Sequence, residues 1–163
     1  MRIREATPED FGEIARITVD AYRGLDTWVG DWYATVLADV ARRAETNTVL
    51  VAEEDGRILG AVTLVMEGGF WFEWRFGEDG DCGFRMLAVD PPAQGKGVGS
   101  ALVKECLERA RRAGRTRMCI GSTPWMTTAH RIYAGLGFQR RPEIDQQWGD
   151  IPGWAFVLDL DAG

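Results

Sequence analysis

The stretch from Phe84 to Arg112 most constrains how this chain can fold. It opens with a run of strand-type residues, Phe84 to Val89, which stops at Asp90-Pro91-Pro92. From Leu102 to Ala110, apolar residues recur three or four positions apart with charges between them, which predicts an amphipathic helix. Between the strand and the helix lie three glycines on alternate positions, Gly95, Gly97 and Gly99.

A strand, a glycine loop and a helix start, in that order, favour binding of an anion. Glycines let backbone N–H groups approach a phosphate, and the helix dipole attracts negative charge at the same place. The spacing excludes two common versions, because a dinucleotide fold requires GxGxxG and a P-loop requires GxxxxGK[ST], in which Lys96 would be misplaced. The remaining alternatives are another phosphate ligand or a turn that only links the strand to the helix.

The loop matches the pattern Gln/Arg-x-x-Gly-x-Gly/Ala as Gln94 to Gly99, preceded by Leu87-Ala88-Val89-Asp90-Pro91. A second stretch, Ala129 to Phe138, matches A-x-x-x-Y-x-x-x-G-F with Tyr133 as its tyrosine. Two motifs in this order, about one strand and one helix apart, resemble those of the GNAT family of N-acetyltransferases. The resemblance covers nearly the whole chain. One departure is Met126, since many members carry Asn there to hold the pantetheine arm of CoA.

The length of 163 residues predicts a single domain, residues 1–163. The resemblance implies that its fold is α/β. Its sheet would be twisted and mixed, with six or seven strands, helices on both faces and a splayed central parallel pair. The strands at Phe84 and Thr116 would form that pair, joined by the helix Gly99 to Ala113 as a crossover.

Residue patterns predict the remaining elements. Thr7-Pro8 favours a helix start, and a second helix should run from Asp31 to Arg43. Asp55-Gly56 is typical of a hairpin turn between two strands. Met126 to Leu136 should be a helix, and the segment from Ile144 to Gly153 should be a loop between two final strands.

Acetyl-CoA is the co-substrate that the resemblance implies. The backbone groups of Leu87, Ala88 and Val89 would pair with the pantetheine arm like an added strand, and one of their N–H groups would polarise the acetyl carbonyl. Tyr133 would donate a proton to the departing sulfur. The pyrophosphate would be held by Gln94, Gly95, Lys96, Gly97, Val98, Gly99 and Ser100.

The general base is less constrained by the sequence. An amine with a pKa near ~10.4 must lose a proton to attack the thioester. The resemblance favours Glu73 and Asp81, because family bases often come from before or at the start of the central strand. His130 is the only histidine and lies three residues before Tyr133, but a solvent-facing helix position is the favoured interpretation.

The sequence leaves the roles of two groups of residues open. Between Glu67 and Asp81, aromatic side chains are compatible with an acceptor pocket, a cover for the core or the face of a homodimer. The acids around the break between the first helices either attract a cationic acceptor or simply solvate helix ends, and the second reading is slightly favoured. The aromatics are Phe70, Trp71, Phe72, Trp74 and Phe76, and the acids are Asp20, Asp26 and Asp31.

Composition narrows the classes of partner. The net charge of −6 argues against binding to nucleic acid or to a membrane surface, which favours a basic face. Cys82, Cys106 and Cys119 are an odd number without CxxC spacing, as in reduced intracellular proteins. No signal peptide or membrane-spanning run is visible, so a cytoplasmic location is expected. The chemistry requires no metal.

The sequence therefore predicts acetyl transfer from acetyl-CoA to a primary amine, on a small molecule rather than on a protein. The main alternative is a non-catalytic domain that binds acyl-CoA as a sensor or interaction module. A nucleotide-binding regulator that uses the same loop is disfavoured by the glycine spacing.

Overall fold

The first hairpin follows directly from its turn residues. In the computed structural model, which describes residues 1–24, 31–66 and 80–160 without the side chains of Asp31 and Trp148, β2 (Thr48–Glu54) and β3 (Arg57–Val65) pair antiparallel. Asp55 and Gly56 join them with φ of 53° and 77°, the left-handed conformations that a tight hairpin turn requires. The predicted hairpin is therefore confirmed.

The chain forms two compact units, Met1–Leu64 with Met86–Glu105 and Val65–Arg85 with Cys106–Gly163. In the first unit, β1 (Arg2–Glu5) pairs antiparallel with β2, and the strand order is β1-β2-β3-β4, where β4 is Asp81–Val89. Residues of β4 and of α4 (Val98–Arg112) contribute to both units.

Helices cover both faces of the first unit's sheet. On one face, α1 (Phe11–Arg23) and α3 (Val40–Thr46) bury Ile14 and Val40 against β2 and against Ala61 of β3. Successive strand residues point to opposite faces, and Gly60, next to Ala61, faces Val98 at the start of α4. The predicted two-sided arrangement is therefore present in this unit.

Gly60 should be indispensable for this packing. A Cβ at this position would lie 2.8 Å from Ala88 O, 3.1 Å from Val98 Cγ1 and 3.2 Å from Leu102 Cδ1. Because a backbone oxygen cannot move aside cheaply, Gly60→Ala should lower the free energy of unfolding by roughly 1–3 kcal/mol. The matched control is Gly12→Ala, where nothing lies within 4 Å of the added Cβ and a gain of about 0.5–1 kcal/mol is expected in a helix. Equal melting temperatures for the two variants would contradict this account.

The second helix is interrupted, so the prediction of one helix from Asp31 to Arg43 is wrong in part. The structure has α2 (Asp31–Ala38) and then α3. Asp39 lies between them and accepts a hydrogen bond from Arg42 N–H (3.3 Å), which makes it the N-cap of α3. An aspartate that bonds the backbone in this way favours a helix start over a helix interior. Arg43 is buried and donates to the carbonyls of Val36 and Leu37 at the end of α2.

The second unit contains the predicted parallel pair. β4 runs parallel to β5 (Arg117–Ser122), with Asp81 opposite Arg117 and Cys82 opposite Met118. The pairing covers only these first two residues of each strand, so the strands part after Cys82. Beyond β5 the order is β8 (Ile151–Asp159) and then β6 (Gln139–Arg140), both antiparallel neighbours.

A short strand occupies the segment that was predicted to be a loop. β7 (Gln146–Trp148) pairs with the start of β8, so Ile144 to Gly153 is largely a hairpin. Polar residues such as Gln146 and Gln147 carry little strand propensity, which is why the pattern indicated a loop. With β6 and β7, the described part of the chain has eight strands rather than six or seven.

The helix α5 (Thr127–Gly135) follows β5 and ends one residue before the predicted position. The three cysteines are buried and form no disulfide in the described part of the chain, as predicted. None of the helices in the described ranges is long and apolar enough to cross a membrane.

Candidate active site

The glycine loop has the backbone geometry that a phosphate cradle requires. Gly95 and Gly97 have φ of 80° and 82°, in the left-handed region that side chains disfavour. Ala101 N–H donates to Gly97 O at 3.0 Å and so opens the hydrogen-bond ladder of α4. The N–H groups of Val98, Gly99 and Ser100 precede that ladder and have no partner within the helix. Such groups, together with the helix dipole, suit an anion.

The end of β4 is fixed by hydrogen bonds from the loop that follows it. Asp90 N–H donates to Leu59 O at 2.8 Å, and Ala93 N–H donates to Asp90 O at 2.8 Å. The Gln94 side chain, predicted to bind the cofactor, donates from Nε2 to Val89 O at 3.3 Å. The loop is therefore held at both its strand end and its helix end.

An ion pair that the sequence did not indicate braces the same turn. Asp90 is buried, and Arg16 of α1 donates to its two oxygens at 3.2 and 3.5 Å. Arg16 also contacts Glu13 and Asp20 on its own helix. Since Asp90 separates β4 from the glycine loop, this pair ties α1 to the start of the loop.

Arg16→Gln should weaken acetyl-CoA binding without preventing folding. The substitution leaves the buried Asp90 carboxylate without its cation, and the turn that orients the loop loses its brace. We expect the dissociation constant measured by calorimetry to rise about three- to tenfold, a modest effect because Arg16 is half exposed. Glu13→Gln is the control, because it removes another partner of Arg16 and keeps the contact with Asp90. Equal affinities for both variants would show that the pair is a surface contact only.

Met86 places a left-handed residue inside β4. Its φ is 54°, which is rare for a residue with a long side chain and marks a local irregularity in the strand. The residues that follow it are Leu87, Ala88 and Val89, whose backbone was predicted to pair with the pantetheine arm. No sequence signal indicates this conformation, because methionine has no preference for it.

Tyr133 lies within a cluster of rings in the second unit. Its ring centroid is 5.8 Å from that of Phe84, 5.7 Å from Phe138, 5.4 Å from Phe156 and 6.3 Å from His130. Tyr133 is buried, and this burial raises the pKa of its hydroxyl above the usual value. The phenol is therefore fixed by packing and stays protonated, as a proton donor must be.

His130 is partly buried among side chains of other elements rather than on an open helix surface, so the favoured prediction is wrong in part. Its ring stacks on Trp154 with a centroid distance of 5.7 Å and lies 4.9 Å from the ring of Phe156. Nε2 hydrogen-bonds to Ser122 Oγ at 3.1 Å. Desolvation lowers the pKa of His130, with a smaller contribution from nearby Arg140, while a hydrogen bond with the Thr123 backbone opposes the shift. The helix position alone could not reveal these contacts, because they come from β5 and β8.

Of the two predicted bases, the structure describes only Asp81. Asp81 is buried and accepts two hydrogen bonds from Arg117, both of 3.0 Å. This pairing engages both carboxylate oxygens, so it weighs against Asp81 as the base, although that role stays a prediction. Glu73 lies outside the described residues. So do the aromatic segment from Phe70 to Phe76 and Asp26, and the side chain of Asp31 is not described.

Comparison with known proteins identifies the family. The model of the acetyltransferase (GNAT) family matches residues 5–138. An uncharacterized N-acetyltransferase from Archaeoglobus fulgidus is 32% identical over 152 residues, which are 88% of this chain and 95% of that protein. The chain therefore belongs to the GNAT family of acetyltransferases, and the predicted fold and enzyme class are confirmed.

Two further proteins show what related chains do. An L-methionine sulfoximine/L-methionine sulfone acetyltransferase from Salmonella typhimurium is 29% identical, with 75% of this chain and 71% of that protein aligned. The structure of yncA from the same organism, solved with its cofactor acetyl-CoA, is 25% identical with a TM-score of 0.71. The match covers 100% of this chain and 95% of the yncA chain.

Proposed function

We propose that this protein transfers the acetyl group of acetyl-CoA to the primary amine of a small molecule, and that amino acids and their derivatives are the first class to examine. The observation that carries the proposal is the glycine loop, in which Gly95 and Gly97 have positive φ angles and lead into a fifteen-residue helix. The first N–H groups of that helix have no partner within it. The Salmonella relative, named for two methionine derivatives, supports the acceptor class.

The loop from Gln94 to Ser100 holds the pyrophosphate of acetyl-CoA, through its backbone N–H groups and the dipole of α4. Leu87, Ala88 and Val89 bind the pantetheine arm by backbone hydrogen bonds. These residues bind and orient the thioester, and one of the three N–H groups donates to the carbonyl oxygen as it becomes an oxyanion.

The transfer proceeds by direct attack. The neutral amine forms a bond to the acetyl carbon and gives up a proton to a base, and the carbon–sulfur bond then breaks. Tyr133 donates its proton to the departing sulfur. The thiol of CoA has a pKa of ~8.5, by analogy with cysteine, so its thiolate can leave even without a proton donor, although more slowly. Proton donation by Tyr133 therefore accelerates the step but is not indispensable.

A panel of amines with thiol detection tests the proposal. The natural chain is mixed with acetyl-CoA and, in turn, with free amino acids, simple polyamines and a peptide with a free N-terminus. We expect thiol release that depends on a small-molecule amine. Binding of acetyl-CoA by calorimetry with no thiol release from any amine would favour the sensor or interaction module instead. The homodimer, the cytoplasmic location and the absence of a metal stay predictions.

A further inference from the structure

His130 and Ser122 form a polar pair that the mechanism above does not use. Ser122 is the last residue of β5 and is 2% exposed. Its Oγ lies 3.1 Å from His130 Nε2 and 3.4 Å from Met126 Sδ. A buried hydroxyl that bonds to an imidazole fixes the orientation of the ring, which is the arrangement expected of a base and its orienting group.

The pair of His130 and Ser122 lies close to Tyr133, the proposed proton donor. His130 and Tyr133 are three residues apart on α5, so they share a face of the helix, and their ring centroids are 6.3 Å apart. The ring centroid of Phe156 lies 4.9 Å from that of His130 and 5.4 Å from that of Tyr133. The two groups therefore belong to one cluster rather than to separate surfaces.

We propose that His130, held by Ser122, is the base of the acetyl transfer: its imidazole takes the proton that the acceptor nitrogen loses, directly or through the Ser122 hydroxyl. This inference rests on the proposed function, in which Tyr133 acts at the reacting atoms. Asp81 is less suited, because both of its carboxylate oxygens are bonded to Arg117.

The proton balance closes over one turnover. The amine nitrogen bonds to the acetyl carbon and becomes acidic, and His130 takes its proton. The carbonyl re-forms as the carbon–sulfur bond breaks, and Tyr133 gives its proton to the sulfur. The imidazolium one helical turn away then returns a proton to the Tyr133 phenolate. The proton lost by the amine thus ends on the CoA thiol, and no co-reactant is consumed.

The surroundings of His130 keep the imidazole neutral and so able to accept a proton. Burial lowers the pKa of His130 most, and the charge of Arg140 on β6 lowers it further. Arg140 Cζ lies 4.6 and 5.5 Å from the ring centroids of Trp154 and Phe156. Arg140 is itself bonded to Asp145 at 2.7 and 2.9 Å. The side chains that lie against His130 include the uncharged Tyr133 of its own helix, Ser122 of β5, and Trp154 and Phe156 of β8. A hydrogen bond with the Thr123 backbone acts in the opposite direction and raises the pKa of His130. A positive charge on the imidazole would be disfavoured both by Arg140 and by burial.

A titration of the natural protein tests the proposal without any variant. Because His130 is the only histidine, its imidazole C–H signal in an NMR titration is unambiguous. We expect kcat/KM, expressed per unprotonated acceptor, to fall at acid pH with an apparent pKa equal to that of His130, both below the ordinary value of 6.5. A difference of more than about one pH unit between the two values would overturn the proposal.

Variants of His130 and Ser122 provide a second test of the proposed base. His130→Gln keeps a polar side chain without basicity, and kcat should fall about a hundredfold while the acid limb disappears and acetyl-CoA affinity stays within about twofold. Ser122→Ala should lower kcat about tenfold and keep the limb. Arg131→Gln, on the exposed neighbour, is the control and should change neither. Full kcat with an intact acid limb in His130→Gln would leave His130 a packing residue.

The two proposals fail in different ways. If the natural protein acetylates no amine, the proposed function is wrong whatever the titration of His130 shows. If the natural protein is active and its acid limb does not follow His130, only the assignment of the base is wrong.

Discussion

Gly97→Glu should bind acetyl-CoA about a hundredfold more weakly than the natural chain. The loop is expected to hold a pyrophosphate, and a carboxylate about 6 Å from such a charge is repelled by about 3 kcal/mol at an effective dielectric constant of ~20. A difference of this size corresponds to about two powers of ten in the dissociation constant. Calorimetry at low and at physiological ionic strength should show the loss, which is smaller when salt screens the charges.

Gly114→Glu is a matched control for backbone strain and for charge. Gly114 has φ of 75°, close to the 82° of Gly97, and in both cases nothing lies within 4 Å of an added Cβ. The two substitutions should therefore cost similar folding stability. Gly114 follows the far end of α4, so its variant should keep acetyl-CoA affinity. Equal affinities for the two variants would contradict the phosphate cradle.

Tyr133→Phe should lower kcat by roughly ten- to a thousandfold and change acetyl-CoA affinity little. The substitution removes the hydroxyl and keeps the ring, whose packing against Phe84, Phe138 and Phe156 fixes its place. Burial raises the pKa of Tyr133, so the natural residue carries its proton throughout the neutral range. The variant should therefore remain slow at every neutral pH, and the deficit should shrink with thioesters whose thiols leave more easily.

The control is Tyr22→Phe, which removes a hydroxyl from α1 and should leave turnover unchanged. Rates are compared with a saturating acceptor at a pH where chemistry limits the reaction. Full kcat in Tyr133→Phe would identify Tyr133 as a packing residue. A collapse of acetyl-CoA affinity together with kcat would mean instead that its hydroxyl holds the cofactor.

Much of the fold was predictable because its signals are local. The Asp55-Gly56 turn and the spacing of apolar residues in α4 depend on residues close in the chain, and the structure confirms the hairpin and the helix. The alternate glycines are equally local, and two of them adopt positive φ before the helix. The break at Asp39 was not predicted, because a helix cap is defined by a hydrogen bond that the sequence does not show. An aspartate within an apolar pattern reads as a helix surface residue until its hydrogen bond to Arg42 N–H is known.

The candidate site was predictable only where a motif carried it. The loop from Gln94 to Ser100 and Tyr133 lie in recognisable patterns, whereas the contact between Arg16 and Asp90 joins residues 74 positions apart. The environment of His130 likewise comes from β5 and β8, which no helical periodicity can reveal. Long-range ion pairs and ring contacts depend on the tertiary structure, and a single sequence does not encode them in a readable spacing.

The most direct test of the central claim is the stoichiometry of the products. The natural chain is incubated with acetyl-CoA and the best acceptor of the amine panel, and mass spectrometry counts acetylated acceptor against free CoA. The proposed function predicts one acetylated amine for each CoA released, and both products should form about a hundredfold more slowly with Gly97→Glu at the same acetyl-CoA concentration, set below the natural chain's dissociation constant. Release of CoA without acetylated amine, or no release from any acceptor despite tight acetyl-CoA binding, would contradict acetyl transfer to a small-molecule amine.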